Sequence, residues 1–373
     1  MNTGTTQPVK DKLLFTPGPL TTSATLKQAM LNDYGSRDEK FINIVKEIRE
    51  QLLDLAGLKQ QEGYEAVLMQ GSGTFGVESV ISCAVPADGK LLIVINGAYG
   101  ERIAKMAKVH RINFTTIVFD EDQWPDAAQV EAELKKGGCT HLAIIHSETT
   151  SGIINPLEPF GKLAHEHNCV FIVDAMSSFG AVPVDFKKCN IDFLVSSSNK
   201  CIEGVPGFSF ILAKKDSLKK CEGQSRTLSL DLFAQWQGLE NGGQFRFTPP
   251  THVLAAFHQA LKELKEEGGV NARAARYRNN FEILSAGMKA LGFKEYLPAD
   301  KQGYIISTYF YPENPAFDFK VFYEKLNNRD FIIYPGKLTK AFCFRIGNIG
   351  HLFPENINAL LTAIGEVKGE MGF

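Results

Sequence analysis

The sequence predicts an α/β protein, with a large domain built on a mostly parallel sheet and a smaller α+β domain after it. Three observations carry that expectation. Short continuous apolar runs recur at 91–95, 170–173 and 193–195. Strands buried on both faces read this way, because helices cover both sides of a parallel sheet. Strand and helix patterns alternate from about residue 65 to residue 212, and after about residue 250 the rhythm changes to two long helices followed by mixed short elements. A chain of 373 residues has length enough for two cores.

In chain order, 15–19 (Phe-Thr-Pro-Gly-Pro) is a rigid turn, since proline fixes φ and removes a donor. Residues 41–55 place Phe41, Val45, Ile48 and Leu52 on one helical face and stop at Gly57. Strand 65–69 leads through a glycine-rich turn into a helix from about Thr74. Strand 91–95, helix 99–109, strand 113–119, short helix 129–136, strand 141–146 and helix 160–167 follow. Strands 170–173, 193–195 and 208–212 complete the large domain. Helices 253–267 and 271–291 are joined by Gly268 and Gly269. Strand 305–310, helix 319–328, strands 331–334 and 342–346, and helix 354–367 then make the smaller domain. The expected division is an N-terminal arm at 1–24, a large domain at 25–255 and a small domain at 256–373.

Composition excludes more than it proposes. Lys plus Arg number 40 and Asp plus Glu 42, so the formal charge is −2 and bulk basicity offers nothing to nucleic acid. Seven widely spaced cysteines, with no CxxC pair, speak against a disulfide framework or a zinc site, and no metal is expected. Residues 1–12 are polar, unlike a signal peptide, and no apolar run is long enough to span a bilayer. A cytoplasmic protein without membrane contact is expected.

The chemistry gathers at three places. Gly71-Ser72-Gly73-Thr74-Phe75-Gly76 matches GxGxxG between a strand and a helix. A dinucleotide site also needs an acidic residue ending a second strand about twenty positions on, and Asp88 lies in a turn instead. The free amides of the helix start, with the Ser72 and Thr74 hydroxyls, read as a phosphate cradle; a glycine turn for tight packing gives the same pattern. Asp174 ends an apolar strand at the sheet edge where ligands bind. Lys200 follows the strand 193–195 and precedes a Gly/Pro-rich run, so it sits on a shaped loop. A lysine, a carboxylate and a phosphate cradle are the three needs of pyridoxal 5′-phosphate, which bonds an amine, keeps a protonated ring nitrogen and carries a phosphate.

These residues lie in segments 15–22, 70–75, 96–100, 146–152, 174–178, 198–200, 246–252 and 334–350. Together they resemble, in order and over essentially the whole chain, the class V group of fold-type I pyridoxal 5′-phosphate-dependent aminotransferases. Within it the segments are most similar to the branch acting on 2-aminoethylphosphonate and pyruvate; the alanine–glyoxylate and serine–pyruvate branches are the alternative. The resemblance implies roles. Lys200 is the Schiff-base lysine and Asp174 the pyridinium partner. Ser72, Gly73, Thr74 and Asn199 hold the cofactor phosphate, and Met176 joins the cofactor contacts. Tyr99 matches an aromatic that stacks on the ring, often Trp in relatives, and Thr149 a hydroxyl near the ring oxygen. Thr248 matches a residue reaching the neighbouring subunit's phosphate, which makes a homodimer the active unit.

Arg345 lies in the apolar strand 342–347, where a guanidinium is costly to bury without an anion, and its planar fork suits a carboxylate or phosphonate. The resemblance matches it to the arginine that binds the substrate's acid group, with Gly18 of the N-terminal turn beside the substrate. Arg37 is a candidate second charge for a phosphonate, although Asp38 and Glu39 offer it a salt bridge. A cysteine lyase needs an activated thiol on a flexible loop; Cys343 sits in a strand and Cys201 abuts the lysine. His141 and His146 read as satisfied strand-end histidines.

Overall fold

The computed structural model describes residues 11–338 and 341–373, so the first ten residues of the expected arm lie outside it. Seven strands form the main sheet: β1 (Tyr64–Gln70), β2 (Lys90–Ile95), β3 (Asn113–Val118), β4 (His141–Ile145), β5 (Val170–Asp174), β6 (Phe193–Ser197) and β7 (Phe208–Lys214). Their order is β1-β7-β6-β5-β4-β2-β3. All neighbours are parallel except β7, which runs against both β6 and β1. The reversal follows from the connection: 198–207 holds no helix to carry a crossover, so β7 must return antiparallel. Because β7 reverses twice, β1 again points as β5 and β6 do. Three C-terminal strand ends, Gln70, Asp174 and Ser197, therefore share one sheet edge. β4 and β6 are buried throughout, whereas β3, with Asn113, Thr115 and Thr116, forms a half-exposed edge.

Helices cover the sheet. Glu39–Leu55 is capped by Asp38, whose carboxylate accepts the Lys40 amide at 2.9 Å, and it buries Phe41, Val45, Ile48 and Leu52. Gly73–Ala84 and Ala98–Val109 start at the ligand-binding edge, after β1 and β2. Three helices lie outside the sequence expectation: Ala24–Ala29, Lys215–Lys219 and Leu232–Gly242. Two are under two turns long, and the third is diluted by Gly238, Gly242 and its αL cap Gly243. Thr251–Glu267 and Gly269–Ala290 are separated by Gly268 alone, at φ +110.

The smaller sheet has Cys343–Gly347 at its centre, antiparallel to Ile306–Phe310 and Tyr334–Pro335. Arg345 stands opposite Thr308 and Tyr334. The expected strand 331–334 is instead two short strands in different sheets, since Phe331–Ile332 pairs in parallel with Leu13–Leu14 of the N-terminal arm. Apolar burial falls into two main clusters. One runs from Leu26 to Leu264 and takes in the buried face of Thr251–Glu267, the helix that carries the expected 255/256 boundary. The other gathers Phe15 with residues from Leu284 to Val367.

Candidate active site

Lys200 lies three residues beyond β6, and its Nζ donates to the Pro17 carbonyl at 2.5 Å. The N-terminal turn is thus folded onto the lysine head. Gly18 adopts φ +119, and a Cβ there would stand 2.7 Å from Lys200 Nζ, so only glycine fits. Burial pushes the Lys200 amine down to about 8, helped by the Arg345 and Arg102 charges and opposed by Cys201 and Asp174.

On the neighbouring strand, Asp174 is buried at the end of β5. Burial pushes its carboxyl up to about 6, against the Met176 amide and the charges of Arg102 and Lys200. The Met176 amide donates to Oδ1 at 2.9 Å, which leaves Oδ2 for a ring nitrogen. Met176 also packs on the helix start: a Cβ on Gly73 would lie 2.1 Å from its sulfur. Ser72 is the N-cap of Gly73–Ala84, and its hydroxyl makes no bond to that helix. The hydroxyl and the first-turn amides are therefore placed to take an anion. Thr74 Oγ1 accepts from Arg102 Nη1 at 3.1 Å.

A small cavity brings Thr74, Tyr99, Arg102, Asp174 and Met176 together. Tyr99 opens helix Ala98–Val109, with the Arg102 guanidinium 4.6 Å and the Lys337 amine 5.3 Å from its ring centroid. Beyond it lies Glu148, wholly buried, whose carboxylate accepts the Tyr99 amide at 3.2 Å and the Thr150 hydroxyl at 2.7 Å. Burial raises the Glu148 carboxyl to about 7, opposed by those donors. Arg345 is 5% exposed. Its Nε donates to Pro335 O at 3.0 Å and its Nη1 to Thr149 O at 2.9 Å; Nη2 has no hydrogen bond among the described residues. Thr149 thus anchors Arg345 through its backbone.

Other candidate residues lie apart. Asn199 accepts the Ser197 hydroxyl at 3.2 Å, bracing the lysine loop. Thr248 and Arg37 are exposed and line one surface cleft with Phe247, not the cavity of Asp174. Asp38 serves as the helix cap. His141 is satisfied by Thr140, whereas His146 Nδ1 is buried without a partner, unlike the reading of it as a satisfied histidine; burial lowers both to about 4. Two residues of the site escape sequence reasoning. Arg102 is signalled only by lying one helical turn beyond Tyr99, and Glu148 only as the single carboxylate in a hydroxyl-rich run.

The donor set fits pyridoxal 5′-phosphate: a helix start with an unspent hydroxyl, a buried carboxylate with a free oxygen, and a lysine of lowered basicity on the loop after the adjacent strand. Such a site on such a sheet defines a pyridoxal phosphate enzyme. The class V aminotransferase model matches residues 22–322, and the chain belongs to that family, whose cofactor is pyridoxal 5′-phosphate. Among curated relatives, the 2-aminoethylphosphonate–pyruvate transaminase of Lysinibacillus sphaericus is 50% identical over 94% of this chain and 96% of its own. That of Klebsiella pneumoniae is 50% identical over 95% of this chain and 97% of its own. Among solved structures, the ureidoglycine–glyoxylate aminotransferase of Bacillus subtilis matches with a TM-score of 0.90 at 22% identity, covering 98% of this chain and 94% of that one. The alanine–glyoxylate aminotransferase of Nostoc sp. gives 0.87 at 25% identity, covering 97% of each.

Proposed function

We propose that the protein transfers the amino group of 2-aminoethylphosphonate to pyruvate, giving phosphonoacetaldehyde and L-alanine. The half-identity to transaminases of that name over nearly full length supports the substrate pair. The observation that carries the chemistry is the buried Arg345, two arms of its fork held by carbonyls and the third nitrogen unspent.

Pyridoxal 5′-phosphate, when bound, supplies an aldehyde for the amine and a ring that takes up electrons as a C–H bond breaks. Ser72, Gly73 and Thr74 hold its phosphate. Asp174 holds the proton on the ring nitrogen, a task for which the ionised carboxylate is needed; Arg102 and Lys200 favour that form. Lys200 would hold the cofactor when it is bound, and its amine would move the proton at the amine-bearing carbon of the substrate. An amine near 8 is free base often enough at neutral pH to do so. Arg345 binds the phosphonate in one half-reaction and the pyruvate carboxylate in the other, since each substrate offers one compact anion close to the reacting carbon. Gly18 lets the N-terminal turn close on the lysine without a side chain in the way.

The same reading makes the working unit a homodimer, with Thr248 and Arg37 offered from an exposed cleft to the partner's phosphate and phosphonate. It also places the enzyme in the cytoplasm, in keeping with seven free thiols. No helix among the described residues is long and apolar enough to cross a membrane. The test is L-alanine production from pyruvate with each amine donor. 2-Aminoethylphosphonate should outrun L-serine by orders of magnitude in kcat/KM; the reverse ranking would overturn the substrate reading.

A further inference from the structure

We propose that Glu148 is the positioning residue that fixes Tyr99 in the cofactor site, by capping the helix that carries it. The first-turn amides of a helix need acceptors, and a carboxylate there also favours the helix dipole. Helix Ala98–Val109 has no capping side chain of its own, because its N-cap is Gly97. Glu148 supplies the acceptor from the neighbouring strand: β4 lies beside β2 in the sheet, and the residues just past β4 reach the start of the helix that follows β2.

One oxygen of Glu148 accepts the Tyr99 amide at 3.2 Å; the other accepts the Thr150 amide at 3.2 Å and the Thr150 hydroxyl at 2.7 Å. A buried carboxylate with three donors is held in one place. The glycine before the helix fits this reading. A Cβ on Gly97 would stand 2.4 Å from Glu148 Cδ, and the φ of Gly97, 164°, is open to any residue, so space for the carboxylate is the constraint. The carboxylate therefore ties two parts of the site: the helix start bearing Tyr99, and the loop whose Thr149 carbonyl holds Arg345.

The inference rests on the cofactor and not on the substrate pair, so its test reads cofactor affinity. Pyridoxal 5′-phosphate is titrated into the cofactor-free protein, followed by absorbance, for wild type, Glu148→Gln, Tyr99→Ala and the double variant. The amide nitrogen of glutamine cannot accept the donors that the carboxylate accepts. Glu148→Gln should weaken binding roughly tenfold with Tyr99 present and less than about twofold in the Tyr99→Ala background, the non-additivity of two residues acting as one. Equal losses in both backgrounds would overturn the proposal. If Glu148→Gln does not fold, Gly97→Ala carries the same cycle, since its methyl displaces the carboxylate. A folded Gly97→Ala protein with unaltered affinity would also overturn it.

Discussion

In the proposed reaction Arg345 binds its anion through geometry as much as charge. Its Nε and Nη1 are committed to Pro335 and Thr149, and a lysine cannot reproduce that fork. Arg345→Lys should raise KM for both 2-aminoethylphosphonate and pyruvate by about 10- to 100-fold with a smaller change in kcat, because binding of both acids is lost together. A fall confined to kcat, or to one substrate, would contradict the shared role. The buried titratable groups make a second prediction. His141 and His146, lowered to about 4 from 6.5, leave the unfolded chain holding more protons between those values, so they add stability as pH rises and lose it as pH falls through that window. Asp174 and Glu148, raised to about 6 and 7, leave the folded chain holding more, so they subtract stability as pH rises over much of the same range. With His258 also lowered by burial on the histidine side, the effects oppose, and the melting temperature of the cofactor-free protein should change little from about pH 4.5 to 6. The double variant Asp174→Asn, Glu148→Gln should instead melt higher as pH rises; parallel profiles would contradict the opposition. Asp174 and Arg345 were legible in the sequence because one ends and the other interrupts an apolar run, and Lys200 because it lies between a strand and a Gly/Pro-rich run. Glu148 and Arg102 were not, since their worth lies in contacts across β4 and β2 and across one helical turn.

Among the elements, the loop after Lys200 is bound to the smaller part of the molecule by a buried ionic cluster. Glu203, at φ +67, accepts from the Tyr277 hydroxyl at 2.5 Å and pairs with Arg276 at 2.7 Å and Arg273 at 3.3 Å. Arg273 also donates to the Cys201 carbonyl, and the Tyr277 hydroxyl accepts the Gly350 amide. Helix Gly269–Ala290 thus braces both the lysine loop and the loop that follows the Arg345 strand. Removing one partner of a buried pair strands the others, so Glu203→Ala should lose about 3–5 kcal/mol in urea unfolding; a loss under about 1 kcal/mol would mean that Glu267 alone satisfies both arginines. Sequence patterning showed most strands as continuous apolar runs and this helix as a long proline-free stretch, although its buried face mixes Arg273 and Asn280 with Ala274, Tyr277, Leu284 and Met288. It missed the reversal of β7, which depends on what 198–207 lacks, and the split of 331–334, where adjacent residues serve different sheets.

For the whole molecule, we propose that the two apolar clusters are separate cooperative units meeting along the helices 251–290. Phe344 sits among the rings of Phe293, Tyr309 and Phe322 in the second cluster. Phe344→Ala should cost about 3–5 kcal/mol there and lower an early calorimetric transition while leaving a later one in place; one transition shifted as a unit would contradict two units. The sheet edge that gathers Gln70, Asp174 and Ser197 belongs to the first cluster and the Arg345 strand to the smaller sheet, so the proposed catalysis requires both parts in register. The most direct test of that joint site is the absorption spectrum of the protein loaded with pyridoxal 5′-phosphate. Addition of 2-aminoethylphosphonate should discharge the visible band, and pyruvate should restore it with formation of L-alanine. A band left unchanged by 2-aminoethylphosphonate, yet discharged by L-serine, would contradict the account.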